Sequence, residues 1–320
     1  MPVVSELSGR LDYIYNLIKD ITPISKQYQT NDGSCASEKA KELLLKDLMW
    51  LKTETKKHAT IDTFAKKLFL KKEIDLFNKV KLLLSLFFVI EQNIGIPDGR
   101  YDTFLANVLT SKLEIPNNIK ILTWNYDRQF EIAYREYSED RLLNLANSSK
   151  LGVYDFRGNQ INSKRWNVYK LNGTADFKEP LQYTVYETQQ LNDAVLDNIL
   201  EVYVDSLYCC GIVVDKSRLY FAWENQDYKI EFFSKVRMDI EQASTLIVIG
   251  YTFPFFNRET DRYIFENMPN LRNIYIQDPN ANNLQQNIIP VLSQHQISMN
   301  LDKQITTITN CDQFFLPPEL

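Results

Sequence analysis

Two hydrophobic periodicities divide the chain. From residue 36 to 52 and again from 60 to 94, in KAKELLLKDLMWL and TFAKKLFLKKEIDLFNKVKLLLSLFFVIEQ, apolar residues recur three and four positions apart without an internal Gly or Pro. That spacing predicts amphipathic helices. GIPDGR at 95–100 interrupts the pattern, YDTFLANVLTSKL resumes it, and IPNN ends it. Beyond Pro116 the pattern changes. IKILTWNY, WNVYKLNG, STLIVIGY and RNIYIQDP are short runs rich in β-branched and aromatic residues, which predicts strands, and the helical stretches DRQFEIAYREY and NRETDRYIFENM follow the first and the third. Strands alternating with helices predict a mainly parallel sheet covered on both faces. The expected class is therefore α/β and Rossmann-like, with residues 1–320 as one domain, a helical insertion at 36–115 and the main part of the sheet in 116–320. Residues 178–235, rich in Tyr, follow neither period closely.

Composition narrows the function classes. At 320 residues, with 44% hydrophobic and 24% charged, the chain has ample material for a buried core. Its net charge of −5, with Lys and Arg dispersed among acidic residues, offers no broad basic surface, so direct nucleic-acid binding is not expected. Cys35, Cys209, Cys210 and Cys311 form no CxxC pair, and adjacent Cys209 and Cys210 make a poor zinc or disulfide framework, so a reduced protein without a metal is expected. The run VKLLLSLFFVI at 80–90 is about half of the roughly 20 residues that cross a bilayer, and it carries Lys81. It reads as a buried helix, not a membrane span. MPVVSELSGR has no basic stretch followed by an apolar one, so no signal peptide is expected and the location reads as cytoplasmic.

In open parallel sheets, ligands bind beyond the carboxyl ends of the strands, where neighbouring loops diverge. TWNYD at 123–127, LNGT at 171–174, GYTFP at 250–254 and QDPN at 277–280 each end a predicted strand, so their polar residues are candidates for one crevice. Each motif also has an ordinary structural reading. Asn125 or Asp127 caps the helix that starts near Arg128. Asn172 and Gly173 accept positive φ in a turn. Gly250 permits close approach, Pro254 stiffens the turn and Asn257 caps a helix. QDPN forms a β-turn, although an acidic residue ending a late strand is also placed to bond a ribose hydroxyl. His58 and His295 lie outside these motifs and read as packing or surface residues.

The order of the motifs resembles that of the sirtuin-like family, the silent-information-regulator type of NAD-binding domain. In its bacterial branch one strand ends in T-x-N-Y-D, a later one in L-H-G-S or L-H-G-T, and a third in G-Y-S-x-P before a helix. The resemblance extends to TIDTFAKKL at 60–68 and spans most of the chain. It implies NAD as substrate or ligand, no metal, and kinship with modules that hydrolyse NAD in anti-phage defence. Asn125 would orient the ribose or the attacking water, and Asp127 would partner the nicotinamide carboxamide. Asn172 takes the place of the family's base. Thr123, Gly173, Gly250, Tyr251 and Thr252 would lie along the cofactor, with the last three near its phosphates and ribose, and Asp278 or Asn280 would face the adenosine end. Fixed dipoles and a carboxylate suit that chemistry, because breaking the glycosidic bond builds positive charge on the ribose. Protein deacylation is not implied, since that branch carries a zinc ribbon built from two Cys pairs.

Two departures qualify the implied activity. The family's general base is a His at the position of Asn172, and an amide has no proton to exchange at neutral pH. The family also begins with a strand and a G-A-G-x-S loop that cradles the pyrophosphate, whereas MPVVSEL looks like the segment that follows that loop. Without that central strand, unpaired edges and an apolar gap are expected. The implied protein is a weak or inactive member of the NAD-hydrolysing lineage; the other reading is a degenerate NAD- or ADP-ribose-binding protein, or a scaffold without turnover. A homo-oligomer stays open, and no membrane partner is expected.

Overall fold

The computed structural model describes residues 7–30, 32–138, 151–154, 166–177, 191–207, 213–215, 217–224 and 229–318. Its first half is helical. Helix α1 (Leu7–Asp20) leads through a hairpin of β1 (Gln27–Thr30) and β2 (Gly33–Ala36) into α2 (Ser37–Thr55), α3 (Ile61–Leu70), α4 (Ile74–Ile94) and α5 (Gly99–Val108). Helices α3 and α5 start where side chains satisfy free backbone donors: Thr60 accepts from the Thr63 N–H at 3.1 Å, and Asp98 from the Arg100 N–H at 3.0 Å. The continuous helical pattern expected over 60–94 is in fact two helices. Lys72 takes a left-handed φ of 60°, and the Lys72 and Glu73 N–H groups donate back to Phe69 and Leu68 at 3.0 Å each. This is a Schellman stop closed by Lys, where Gly would have announced it.

The apolar run in α4 is buried, as its pattern predicts, and Lys81 goes in with it. Its ammonium pairs with Asp215 at 3.1 Å and Glu224 at 3.2 Å, while Ser85 shares a 2.6 Å hydrogen bond with Ser217. Burial pushes the Glu224 carboxyl up, against the pull of Lys81. Arg10 of α1 clasps the buried Glu91 of α4 with two donors, at 3.0 and 2.8 Å.

The remaining elements are β3 (Ile121–Thr123), α6 (Gln129–Tyr134), β4 (Val153–Tyr154), β5 (Val168–Lys170), β6 (Gly173–Phe177), α7 (Asp193–Asp205), β7 (Ser217–Leu219), α8 (Lys229–Ile240), β8 (Thr245–Ile249), α9 (Arg258–Glu266), β9 (Asn273–Gln277), α10 (Ala281–Ile288), α11 (Gln294–Ser298) and β10 (Ile305–Ile308). The four strands predicted from sequence are all present, and the architecture is mixed α/β and Rossmann-like. Helix α7, which the sequence pattern did not resolve, joins the helical body. Its Asp197 receives Lys26 and the Tyr28 hydroxyl at 2.7 Å each, and its Tyr203 donates to Asp47 at 2.8 Å. The antiparallel pair β6–β7 contributes Phe177 and Leu219 to the same core.

The parallel strands form two three-stranded sheets, ordered β3-β5-β4 and β10-β9-β8. One core lies under both: Leu122, Tyr169 and Leu171 from the first, Leu246, Val248, Ile274 and Ile276 from the second, and Phe232, Val236 and Ile240 of α8 beneath them. On the opposite face the first half-sheet packs Val153 and Val168 against Leu105 of α5 and Tyr134 of α6. The second is crossed there by the C-terminal segment. Gln277 donates to Asn310 and Gln313 at 2.7 and 2.6 Å, Phe315 sits 4.9 Å from Tyr275, and Phe314 reaches Tyr101 at 5.1 Å.

The two half-sheets meet through side chains: Lys120, before β3, pairs with Asp239 of α8 at 3.2 Å, and Trp124, after β3, stacks on Tyr251, after β8, at 5.8 Å. Among the described residues, no backbone hydrogen bond joins the two strands. Among the described residues, no helix is long and apolar enough to cross a membrane.

Candidate functional site

The strand-end loops of both half-sheets meet at one rim. Leu171 donates to Thr123 O at 2.9 Å, Asn172 Nδ2 to Trp124 O at 3.3 Å, and the Ala175 N–H to Tyr126 O at 2.8 Å, so the loops after β3 and β5 interlock. The Trp124–Tyr251 stack carries this rim across to the loop after β8. There the Gly250 N–H donates to Gln277 O at 2.9 Å, which continues the rim to β9.

Within TWNYD the ordinary roles are filled. Thr123 Oγ1 accepts the Asn125 N–H at 3.1 Å, and Asp127 Oδ1 accepts the Gln129 N–H at 3.1 Å, which opens α6. The other Asp127 oxygen lies 3.4 Å from Gln129 Nε2, so the buried carboxylate is engaged at both oxygens. Asn125 is exposed, and its side chain lies near the Tyr101 hydroxyl of α5. Burial pushes that phenol up, and the nearby Asp127 adds to the shift. The helical insertion thus reaches the rim through Tyr101.

Beneath the loop lies a charged layer. Lys170, 1% exposed, donates to Asp127 O and pairs with Glu131 at 3.4 Å, while Arg128 pairs with Asp176. Buried charges are held this way only when paired and hydrogen-bonded.

LNGT turns at Gly173, whose φ is +69° and whose added Cβ would meet Arg218 O at 2.0 Å, so a left-handed turn and the approach of β7 together require glycine. Its neighbours Asn172 and Thr174 are buried, and Asn172 Oδ1 and Thr174 Oγ1 have no hydrogen-bond partner. Buried polar atoms are ordinarily satisfied, and each exception asks for an explanation.

In GYTFP, Gly250 has φ +59° with open space where a Cβ would point. Thr252 is exposed, and its carbonyl accepts from Asn287 of α10 at 3.0 Å. Phe253 is buried at φ +55°, a conformation that bulky side chains seldom adopt. Such strain persists only where surrounding packing holds it, and Tyr251 (4.9 Å) and Phe265 (6.3 Å) supply that packing. Asp278 Oδ1 accepts the Asn280 N–H at 2.7 Å, the expected turn, and Asn280 is exposed. Asp278 and Asn280 therefore lie one strand away from the Trp124–Tyr251 stack.

Sequence reasoning missed Asp261. On α9 and 3% exposed, it receives the Tyr251 hydroxyl at 2.9 Å on both oxygens, and burial pushes its carboxyl up to about 7. Its place in RETDRY was the only signal, because an Asp in a first helical turn ordinarily faces solvent. Lys170 and Tyr101 were missed for similar reasons. Lys170 sits where strand alternation allows an outward side chain, and Tyr101 lies in a distant helix.

His58 stacks on Phe64 at 4.8 Å in the helical body, away from the rim. Among the described residues, no group of three or more His, Cys, Asp or Glu side chains could hold a metal ion. No family model, no curated protein and no solved structure matches this chain.

Proposed function

We propose that the rim binds NAD or ADP-ribose, and that the chain is a degenerate member of the sirtuin-like NAD-hydrolysing lineage with little or no turnover. The observation that carries the reading is the pair of buried, unfilled acceptors, Asn172 Oδ1 and Thr174 Oγ1, beside the interlocked loops after β3 and β5 and the Trp124–Tyr251 stack. A ribose hydroxyl or a carboxamide N–H would satisfy Asn172 Oδ1. Exposed Asn125 and Thr252 and the open flank of Gly250 offer further polar contacts along the same rim. Asp127 has both oxygens engaged by Gln129, so the carboxamide falls to Asn125 and Asn172. NAD would bring the scissile glycosidic bond, and the chain would bring amides and hydroxyls that orient it.

Turnover is limited by the same residues. Asn172 can hold a hydroxyl but cannot remove its proton, and general-base help is typically worth about 10²- to 10⁴-fold. Calorimetry with NAD and with ADP-ribose, alongside an assay of nicotinamide release, tests the reading. Binding is expected without release above the uncatalysed rate, and Asn125→Ala should weaken it by about tenfold, the scale of one or two hydrogen bonds. Absence of binding to either ligand would sink the proposal. Fast nicotinamide release, lost on Asn125→Ala, would show that the site is an active hydrolase.

A further inference from the structure

We infer that a cavity in the helical body is a binding site for a small aromatic carboxylate of one or two rings. The inference is independent of what binds at the rim.

The cavity, of about 220 Å³, opens where α2, α3 and the start of α4 meet. Helical spacing sets its walls. Trp50 and Glu54 stand four apart on α2, and Phe64, Lys67 and Leu68 stand three and four apart on α3, so each helix turns one face to the cavity. After the stop at Lys72 the chain re-enters as α4, and Leu76 in its first turn joins the lining.

Three rings shape the interior. His58, just beyond α2, stacks on Phe64 at 4.8 Å with 16° between the planes, and Trp50 meets the same ring at 5.9 Å and 58°. Phe64 and Leu68 are buried and give a fixed apolar floor, whereas Trp50 and His58 keep part of their surface open. Lys79, paired with Asp47 at 2.7 Å, lies 5.3 Å from the Trp50 ring and steadies it. Ring faces already held in place favour a flat apolar ligand.

Charge defines the rest of the occupant. Glu54 pairs with Lys57 at 2.7 Å, and Glu73 with Lys71 at 3.5 Å, so both carboxylates of the lining are neutralised. The Lys67 side chain has no ion pair or hydrogen bond among the described residues. One free ammonium beside open ring faces selects one anionic group on an aromatic body, with the lysine stem laid along the apolar wall.

Other ligand classes fit less well. Pockets for drug-sized ligands run to about 300–1,000 Å³, so this volume limits the occupant to one or two rings. A phosphate group is best held by several donors or cations together, and Lys71 is already engaged by Glu73. A cationic ligand would have to displace Lys57 or Lys71 from its carboxylate.

Titration of the full chain with naphthoate, followed by calorimetry and by the ring-proton NMR signals of Trp50 and His58, tests the inference. Neutral naphthylmethanol is the comparison. Saturable binding of one equivalent is expected, with shifts at both rings, and the alcohol should bind about tenfold more weakly, the scale of one charge-assisted hydrogen bond. Lys67→Met, at an exposed position, should cost naphthoate about tenfold and leave the alcohol unchanged. His58→Ala opens the wall and should weaken both ligands by about threefold or more. Should either variant fail to fold, the acid–alcohol comparison on the natural chain decides by itself. Absence of saturable binding, equal affinity for acid and alcohol, or binding that leaves the Trp50 and His58 signals unmoved would overturn the inference. So would a folded Lys67→Met chain that binds naphthoate as tightly as the natural one.

Discussion

In the helical body, Leu44, Leu48 and Leu51 of α2 and Leu83, Phe87 and Ile90 of α4 are enclosed at 1% exposure or less, and even Lys81 is buried with its partners. In each three-stranded sheet the central strand is enclosed, Val168 and Tyr169 on β5 and Ile274 and Ile276 on β9, while β3, β8 and β10 are only partly covered. The difference separates two jobs. The body closes its own core and supplies cohesion, while the two half-sheets share no backbone hydrogen bond among the described residues and keep unfilled polar atoms at the rim.

The largest effects should come from the body. Phe87→Ala removes a fully buried ring and should cost about 3–5 kcal/mol in chemical denaturation, whereas Ile249→Ala at the open edge should cost less than about 1 kcal/mol. Similar costs for the two would erase the contrast. Next is Lys170→Ala, which leaves Glu131 as a buried charge without its cation and should cost about 3 kcal/mol or more.

A smaller effect depends on pH. The Asp261 carboxyl is held up at about 7 against an ordinary 3.8, so the folded chain keeps a proton that the unfolded chain has lost. Its contribution to stability is fully present below the unfolded value and is lost as pH rises through about 7. Asp261→Asn should therefore lessen the fall in stability between about pH 5 and pH 8, by about 2 kcal/mol, in melts across that range. An unchanged pH profile would place the titration elsewhere. Smallest of all, Asn172→Ala should change the stability of the free chain by less than about 0.5 kcal/mol, since the deleted amide gives one long hydrogen bond and leaves an unfilled acceptor.

The strands were legible because β-branched runs bounded by turn residues have few other solutions, and the polar strand ends located the rim. The four loops were visible, but how each residue is spent was not. Thr123 and Asp127 hold local backbone, as their ordinary reading allowed, while Asn172 and Thr174 keep unfilled acceptors. Lys170, Asp261 and Tyr101 were invisible because their burial is imposed by elements far away in sequence. The same holds for α7, whose Leu196, Ile199 and Leu200 are covered only by the core of the helical body. The stop at Lys72 lacks the Gly that usually marks one.

The most direct test of the divided sheet is residue-resolved amide hydrogen exchange on the free chain. If the two half-sheets are unjoined, Leu122, Ile247 and Ile249 exchange rapidly while their neighbours Ile121, Leu246 and Val248, bonded to β5 and β9, are protected by about a hundredfold or more. Equal, strong protection at all six amides would mean that β3 and β8 are already paired, and it would contradict the account.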